Sequence, residues 1–185
     1  MKKLVNIYEV YLDLYVLDTE GIIVAAGVNR ELIGQNMSDR VWFKDAKSLN
    51  SISVSDLYLS QVGNLPTVAY TCPIRSDEGE LLGYFSTRFD WNYIYDIIDS
   101  ARIGKNGEIF IINNDGYIIA SRSRQGILYD NLKHLNAAQH AMKGETYGYI
   151  FEKGLTGTKI YGYAHTRGYN AYTGKNWSAL VSEII

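Results

Sequence analysis

One short segment of the chain, residues 38–43 (SDRVWF), carries the residue types best suited to binding a small molecule. An arginine can hold a carboxylate through two parallel hydrogen bonds, and neighbouring aromatic rings exclude water from that contact. The first amide groups of a helix would add partial positive charge. Arg40, Trp42 and Phe43 are therefore candidate ligand-binding residues. The structural alternative is an exposed arginine beside a core tryptophan.

The remaining sequence offers no catalytic, metal or cofactor site. His134 and His140 lie six positions apart instead of at the i, i+4 spacing of a zinc-binding helix. The single cysteine, Cys72, lies in a strand-like run and is expected to be a packed, inert thiol. Neither a nucleophile elbow nor a phosphate-binding loop is present. We therefore expect a protein that is not an enzyme and needs no cofactor or metal.

The composition is that of a globular protein with one large domain or two smaller ones. The chain has 185 residues, of which 46% are apolar, and its net charge is −2. Basic residues form no stripe, so no nucleic-acid partner is expected. No window approaches the ~18 apolar residues of a membrane span, and the basic start of the chain is not followed by a signal segment. We expect the chain to be a piece of a longer protein.

A repeated hairpin pattern divides the chain into two halves. Residues 14–25 (LYVLDTEGIIVA) return 95 positions later as residues 109–120 (IFIINNDGYIIA). Each copy has an apolar run, a polar cluster, a glycine (Gly21 or Gly116) and a second β-branched run, which predicts a strand, a tight turn and a strand. The spacing is too long for a solenoid repeat, so the pattern predicts two similar modules in tandem.

Hydrophobic periodicity supplies the elements around these hairpins. Helical spacing is found in residues 4–12, 40–49, 91–102 and 131–143. Strand-like alternation or β-branched runs are found in residues 52–60, 67–74, 81–89, 147–152, 159–166 and 177–184. Ser38 or Asp39 is expected to cap the second helix, and Asp90 the third. Helices and antiparallel strands in this order predict the α+β class.

The order of these motifs resembles the double Cache (dCache) sensor domain, a tandem PAS-like extracytoplasmic module of bacterial chemoreceptors, sensor kinases and cyclic-di-GMP enzymes. The first half matches through LYVLDTEGIIVA, IGQNMSDRVWFKDA, SDLYLS and PIRSDEGELLGYFSTRFDW. The second half matches through GKNGEIFIINNDGYIIAS and the tail ending in NWSALVSEI. The resemblance implies an α+β fold of two tandem PAS-like (Cache) modules, each an antiparallel sheet with flanking helices.

The resemblance also implies an organisation and a function. Residues 1–13 would end an N-terminal helix, 14–90 would form a membrane-distal ligand-binding module, 91–103 a connecting helix, and 104–185 a membrane-proximal module. The function implied is an extracellular sensor domain that recognises a small molecule, such as an organic acid, a polar neutral metabolite or an amino-acid-like compound. The parent protein would be a membrane-anchored bacterial receptor with its sensor in the periplasm or at the cell surface, and a homodimer is an expected assembly.

Site residues can be carried over position by position. Amino-acid-sensing members hold the ligand carboxylate with an arginine, a tryptophan and an aromatic residue of one helix, and Arg40, Trp42 and Phe43 fall on those positions. A further pocket tyrosine falls on Tyr58. Tyr70, which should face the same way as the other even-numbered residues of its strand, is a secondary candidate.

The sequence departs from the amino-acid sensors at two positions. Those sensors place aspartates beside the ligand's ammonium group, whereas Ser60 and Ser86 stand at the matching positions here. An ammonium group that faces two hydroxyls would be poorly compensated. An uncharged or carboxylate-only ligand therefore fits these serines better, and they would supply hydrogen bonds.

Two alternatives stay open at this point. The first is an amino-acid sensor in which a relocated acid such as Asp56 holds the ammonium group. The second is a protein-interaction module without a small ligand, in which the tyrosine-rich surface docks a partner. The second alternative predicts that Trp42 is buried in the core while Arg40 lies in solvent.

Overall fold

The computed structural model describes residues 1–104, 106–154, 157–168 and 174–185. Its contacts divide the chain into two compact units, residues 1–93 and 94–185. The first unit is built on a six-stranded sheet and the second on a five-stranded sheet, and all the strand pairs are antiparallel. The α+β class with two PAS-like modules is thereby confirmed. Among the described residues, no helix has the length and apolar character needed to cross a membrane.

The first unit places one helix against one face of its sheet. Its elements are α1 (Lys2–Tyr8), β1 (Tyr11–Leu17), β2 (Ile23–Ala26), a 3-10 helix (Arg30–Leu32), α2 (Val41–Leu49), β3 (Ser53–Val54), β4 (Tyr58–Leu59), β5 (Pro66–Arg75) and β6 (Leu81–Asp90). The strand order is β2-β1-β6-β5-β3, and β4 also pairs with β5. The core lies between α2 and the sheet, where Phe43 and Ala46 pack with Leu17, Ala69 and Tyr84.

The second unit follows the same plan. Its elements are α3 (Tyr93–Ser100), which begins at the boundary, β7 (Glu108–Ile112), β8 (Ile118–Ser121), α4 (Asn136–Met142), β9 (Tyr147–Gly154), β10 (Gly157–His165) and β11 (Ser178–Ile184). The strand order is β8-β7-β11-β10-β9. Ala137, Ala138 and Ala141 of α4 are fully buried and pack with Ile112 and Leu180 of the sheet.

The repeated hairpin is confirmed down to its hydrogen bonds. Gly21 and Gly116 have φ angles of +87° and +88°, in the left-handed region that glycine adopts without strain. Asp18 Oδ1 accepts hydrogen bonds from the N–H groups two and four residues later, and so does Asn113 Oδ1 in the second hairpin. These side chains therefore fix both turns in the same way.

The start of α2 differs from the prediction. Neither Ser38 nor Asp39 caps the helix; Arg40 occupies the N-cap position with extended backbone and no capping side chain. The N–H of Ser38 instead donates to Asn36 Oδ1, 2.8 Å away, which tightens the turn before the helix. The predicted cap was wrong, because α2 begins without a side-chain cap and the Asn36 side chain supports only the turn before it.

The N-terminal helix is shorter than predicted. It ends at Tyr8, and Glu9 adopts a left-handed conformation with φ of 54°. Tyr11 and Asp13 already belong to β1, where they pair with Phe89 and Arg88 of β6. The apolar spacing of residues 4–12 fits either a helix or a strand, and pairing with β6 decides for the strand from Tyr11 onward.

The single strand predicted over residues 52–60 is two short strands. Ser55 interrupts it, because its N–H donates to the Ala69 carbonyl while its hydroxyl accepts from the Ala69 N–H at 2.8 Å. The hydroxyl thus replaces a backbone carbonyl in the ladder. Ser53, Val54 and Ser55 are all buried, so strict alternation of buried and exposed residues is lost here.

Candidate functional site

A buried arginine of β6, Arg88, lies at the centre of the polar residues in the first unit. Only 5% of Arg88 is exposed. Its guanidinium carbon lies 4.0 Å from the centre of the Trp42 ring and 4.6 Å from the centre of the Tyr15 ring. Aromatic faces attract cations, so both rings stabilise the guanidinium in this position.

Strand register brings these side chains together. In the sheet, Ser86 pairs with Tyr15 of β1 on one side and with Thr71 of β5 on the other. Residues two apart in a strand point to the same face, so Ser86 and Arg88 share a face. Because α2 packs on that face, the ring of Trp42 meets the guanidinium there.

Ser86 holds the guanidinium in place. Arg88 Nη1 donates to Ser86 Oγ at 2.7 Å and to the Thr87 carbonyl at 2.9 Å. The hydroxyl groups of Ser86 and Thr71 are 2.6 Å apart, and both residues are buried. Both side-chain hydrogen bonds described for Arg88 come from Nη1, and within the described residues no carboxylate lies within ion-pair distance of the guanidinium.

Asp13, the cross-strand neighbour of Arg88, is already saturated. Its carboxylate accepts five hydrogen bonds of 2.7–3.0 Å, from the backbone N–H groups of Leu14, Gly27, Val28 and Asn29 and from the side-chain amide of Asn29. Only 1% of Asp13 is exposed. These donors anchor the β1–β2 hairpin to the loop that follows it, so Asp13 stabilises the fold and does not ion-pair with Arg88.

The charge on Arg88 is buried at a cost. Burial lowers the pKa of the guanidinium, and the neighbouring Tyr58, Tyr15 and Asp13 groups oppose that effect. Arginine nevertheless stays protonated in proteins because its intrinsic basicity is so high. A buried cation without a carboxylate partner is unfavourable by several kcal/mol in general. Asp13 is the carboxylate whose charge acts on Arg88, from beyond ion-pair distance.

Tyr58 and Arg40 complete the cluster. The Tyr58 hydroxyl and Arg40 Nε are both buried and, among the described residues, have no hydrogen-bond partner. Burial raises the pKa of Tyr58, while the charges of Arg88 and Arg40 lower it. Both guanidinium groups therefore lie within electrostatic reach of one hydroxyl. Arg40 is the more exposed of the two, with 41% of its side chain accessible and its Nε 3.7 Å from Asp39 Oδ1.

Four of the seven candidate residues from the sequence are brought together here. They are Arg40, Trp42, Tyr58 and Ser86. Ser86 bonds to protein groups, and only 6% of Trp42 is exposed.

The other three candidates lie elsewhere in the first unit. Phe43 is a core residue, 1% exposed, with its ring centre 5.0 Å from that of Tyr84. The Ser60 hydroxyl donates to the Val62 carbonyl and accepts from the Leu65 N–H, within the turn after β4. Tyr70 is on the opposite face of β5 from its neighbour Thr71, and 39% of it is exposed.

Sequence reasoning missed Arg88 and Tyr15. The available signal was the period of a strand: Ser86 was a candidate, and Arg88 follows two positions later on the same face. A charged residue in a strand is normally assigned to the solvent face, and only the pairing of β6 between β1 and β5 places it inside.

The chain contains two antiparallel units, and the first holds a buried cation between aromatic rings. These features define its structural class as a tandem PAS-like domain with an internal polar cluster. A family model described as a Cache domain matches residues 1–183. The chain therefore belongs to the Cache domain family.

Solved structures support the fold. An extracellular ligand binding receptor from Desulfohalobium retbaense is similar with a TM-score of 0.75 and 16% identity, over 98% of this chain and 32% of that one. The ligand binding domain of the Pseudomonas aeruginosa PAO1 amino acid chemoreceptor PctB, in complex with L-Gln, is similar with a TM-score of 0.71 and 18% identity, over 95% of this chain and 69% of that one. The ligand binding domain of PctC from the same organism, in complex with GABA, is similar with a TM-score of 0.72 and 17% identity, over 95% of this chain and 75% of that one. The chain thus spans about a third of the Desulfohalobium receptor. No curated protein matches the chain significantly.

Proposed function

We propose that the chain is the extracytoplasmic ligand-binding domain of a bacterial signal-transduction receptor, and that its first unit binds a small carboxylate or polar neutral metabolite. The observation that carries the proposal is the buried Arg88 guanidinium, held between Trp42 and Tyr15 without a carboxylate partner among the described residues. Membership of the Cache family supports it, as do the similar folds of domains solved with L-Gln and with GABA.

The cluster has the physical properties of a binding site for an acidic group. A charge-assisted hydrogen bond to guanidinium strengthens where rings and neighbouring strands exclude water. Arg88 would donate to the acidic group, Tyr58 would donate its unpartnered hydroxyl, and Ser86 would keep Arg88 oriented. The domain would bind and release its ligand unchanged, because the cluster contains no pair of nucleophile and base.

Signalling requires that the ligand favour one conformation of the domain over another. We assign ligand binding to residues 14–90, linkage to residues 91–103 and transmission towards a membrane anchor to residues 104–185. The domain would lie in the periplasm or at the cell surface, and the receptor would work as a homodimer. These assignments extend the proposal from the family to the whole parent protein.

A protein-interaction module is the second candidate, and one observation favours it. Trp42 is buried in the core cluster and the Arg40 side chain is 41% exposed, as that function predicts. The amino-acid sensor with a relocated acid gains less support, because Asp56 is exposed and Asp13 is saturated.

A thermal-shift screen tests the proposal. The purified domain would be melted with organic acids, amino acids, amines and purines, in wild-type, Arg88→Gln and Arg102→Gln forms. Arg102 is an exposed arginine of the second unit and serves as the matched control. A ligand at 100 times its Kd should add about 2.7 kcal/mol of stability. We expect a shift that Arg102→Gln keeps and Arg88→Gln loses. Cooperative melting without any shift would favour the interaction module.

A further inference from the structure

We infer that strand β9 of the second unit is a docking site for an extended segment of another protein, which adds to the sheet as a further antiparallel strand. The inference goes beyond the proposed function, because it concerns a protein contact of the second unit and not ligand binding in the first. The features that select this partner are a row of outward-facing backbone groups and the exposed aromatic side chains beside them.

The first step is that the outer backbone groups of β9 point away from the sheet. Strand β9 has eight residues, and all of them pair with β10 without a register shift. The N–H of His165 donates to the Thr146 carbonyl at 3.1 Å and continues this register. In an antiparallel pair such bonds recur at every second residue, so the even-numbered residues of β9 bond to β10. The N–H and C=O groups of the odd-numbered residues face outward, and among the described residues they make no other backbone hydrogen bond.

The second step is that the other sheet edges are protected. At the edge strands β2 and β8 a following loop bonds to the outer side, because the N–H of Ile23 donates to the Gln35 carbonyl and that of Ile118 to the Asp130 carbonyl. The remaining edge consists of β3 and β4, which have two residues each. Covering loops and very short edge strands prevent unwanted pairing. In the part of the chain that the structure describes, β9 has neither, so a long and regular edge is open to pairing.

The third step concerns the side chains beside this edge. Tyr147, Tyr149 and Phe151 are 80%, 68% and 58% exposed and share one face of β9. The rings of Tyr149 and Phe151 already meet edge to face, with their centres 5.8 Å apart. Apolar side chains at alternate positions of an added strand would cover these rings as cross-strand neighbours. Lys153 continues the row, is exposed and makes no ion pair among the described residues, so an acidic side chain of the added strand fits opposite it.

The fourth step concerns why the added strand belongs to a different protein. Two identical edges related by a two-fold axis pair antiparallel. Self-pairing through β9 would therefore point the two copies in opposite directions along the joined sheet. A homodimer that transmits a signal through both chains towards one membrane requires the two copies to point the same way. This step rests on the proposed function, and it favours a foreign strand over a second copy of the chain.

Amide-proton exchange, followed by NMR with capped model heptapeptides, tests the inference. In each peptide valine alternates with threonine, and a glutamate stands at the N-terminal or the C-terminal end. An antiparallel strand brings its N-terminal end to Lys153, so the peptide with the N-terminal glutamate should bind more tightly, by about two- to fivefold. At saturation the outward amides of Tyr149 and Phe151 should exchange roughly tenfold more slowly or less still. The Gly148 and Ile150 amides, which bond to β10 already, should not change.

Matched variants and a blocked peptide assign the binding to the edge. Tyr149→Pro removes one outward N–H at a position where an edge strand tolerates proline, and it should abolish binding. Tyr149→Ala keeps that N–H and should weaken binding only about two- to fivefold. Tyr129→Ala removes an 81% exposed ring outside β9 and should change nothing. A peptide that is N-methylated at the amides facing β9 keeps its side chains and should not bind to the wild-type protein, a test that needs no variant to fold.

Three results would overturn the inference. Slower exchange of the same outward amides as the protein concentration rises, without peptide, would make a second copy the occupant. Equal binding of the N-methylated peptide would show a contact that does not use the backbone edge. No change in exchange with any peptide at millimolar concentration would refute docking at β9. Arg88→Gln should bind the peptides as wild type does, so each of these results leaves the proposed ligand binding of the first unit intact.

Discussion

The two units use one backbone plan but fill the space between helix and sheet with different side chains. In the first unit the start of α2 carries Arg40, Trp42 and Phe43. Ninety-five positions later, the start of α4 carries Leu135, Ala137 and Ala138. Arg40 and Leu135 occupy the same N-cap position with nearly the same backbone angles. The helix that presents a guanidinium and large rings in one unit therefore presents only aliphatic side chains in the other.

The sheets show the same contrast. In the first unit, β1 pairs Tyr15 with Ser86 and Asp13 with Arg88. In the second, β7 pairs Phe110 with Leu180 and Glu108 with Ser182. A serine therefore stands where the first unit buries a guanidinium, and a leucine stands where the first unit has the hydroxyl that orients it.

This difference shows that the scaffold and the site are specified separately. The turns, the strand order next to the hairpin and the helix start are common to both units, so none of them creates the site. The candidate site arises from a few side chains at fixed register positions, and alanines pack at the equivalent helix positions in the second unit. Function on this fold is thus a property of side chains and not of topology.

The largest effect is expected from Phe43→Ala. Phe43 is almost fully buried against Tyr84, so removing its ring should lower the free energy of unfolding by about 3–5 kcal/mol. Urea unfolding followed by circular dichroism measures this. Any ligand of the first unit should bind the remaining folded protein with an unchanged Kd. A weakened Kd with unchanged stability would show that Phe43 lines the ligand site instead.

The reciprocal change in the second unit, Ala137→Trp, should also destabilise. Ala137 is fully buried and packs in the core with Ala138, Ala141 and Leu180. An indole has no room there, so we expect a loss of about 1–3 kcal/mol or more. Ala137→Trp without loss of stability would indicate hidden space in the second unit, and the contrast between large side chains in the first unit and packed alanines in the second would fail.

A smaller change of opposite sign is expected for Arg88→Met without ligand. Methionine keeps contact with the two rings and removes the buried charge. The free energy of unfolding should therefore rise by about 1–2 kcal/mol, which is at the lower end of the stabilisation found when buried ions are replaced by apolar residues. The exposed Arg102→Met should stay within roughly 0.5 kcal/mol of wild type. If Arg88→Met destabilises the domain, the contacts of Arg88 with Trp42 and Tyr15 outweigh its desolvation, and Arg88 is a structural residue.

Much of the fold could be predicted because its signals are local. The Asp18–Gly21 and Asn113–Gly116 turns are determined by residue types within four positions, and the long hairpin of β5 and β6 by its alternation and its polar turn. The break at Ser55 could not be predicted, because a hydroxyl competes there with the backbone of a distant strand. Where a long-range pair decides between two local options, a single sequence does not contain the answer.

The candidate site could be predicted from the sequence only in part, for the same reason. Arg40 and Trp42 could be selected because an arginine and aromatic residues stand together in the sequence. Arg88 and Tyr15 are more than seventy positions apart and meet only through the pairing of β1 with β6. A residue whose burial depends on strand pairing carries no local mark of it.

The smallest expected effect is that of Tyr15→Phe on the pH dependence of stability. This substitution gives β1 the residue type that β7 has at the equivalent position, Phe110. Burial, opposed by the charge of Arg88, raises the pKa of Tyr15 from its ordinary value of 10.0 to about 12. Because the pKa of Tyr15 is higher in the folded state than in the unfolded state, its protonated hydroxyl contributes fully to the free energy of unfolding below about pH 10. That contribution is lost as the pH rises to about 12. Over that window the unfolding free energy of wild type should therefore fall more steeply than that of Tyr15→Phe, by the slope of one proton. The other buried tyrosines titrate in both proteins, so their effects cancel when the two pH dependences are compared.

The pH dependence of each protein is measured from its melting temperature and from the absorbance of tyrosinate between pH 9 and pH 12.5. Parallel curves would show that the Tyr15 hydroxyl is hydrated, and the two units would then differ less in their interiors than their sequences indicate.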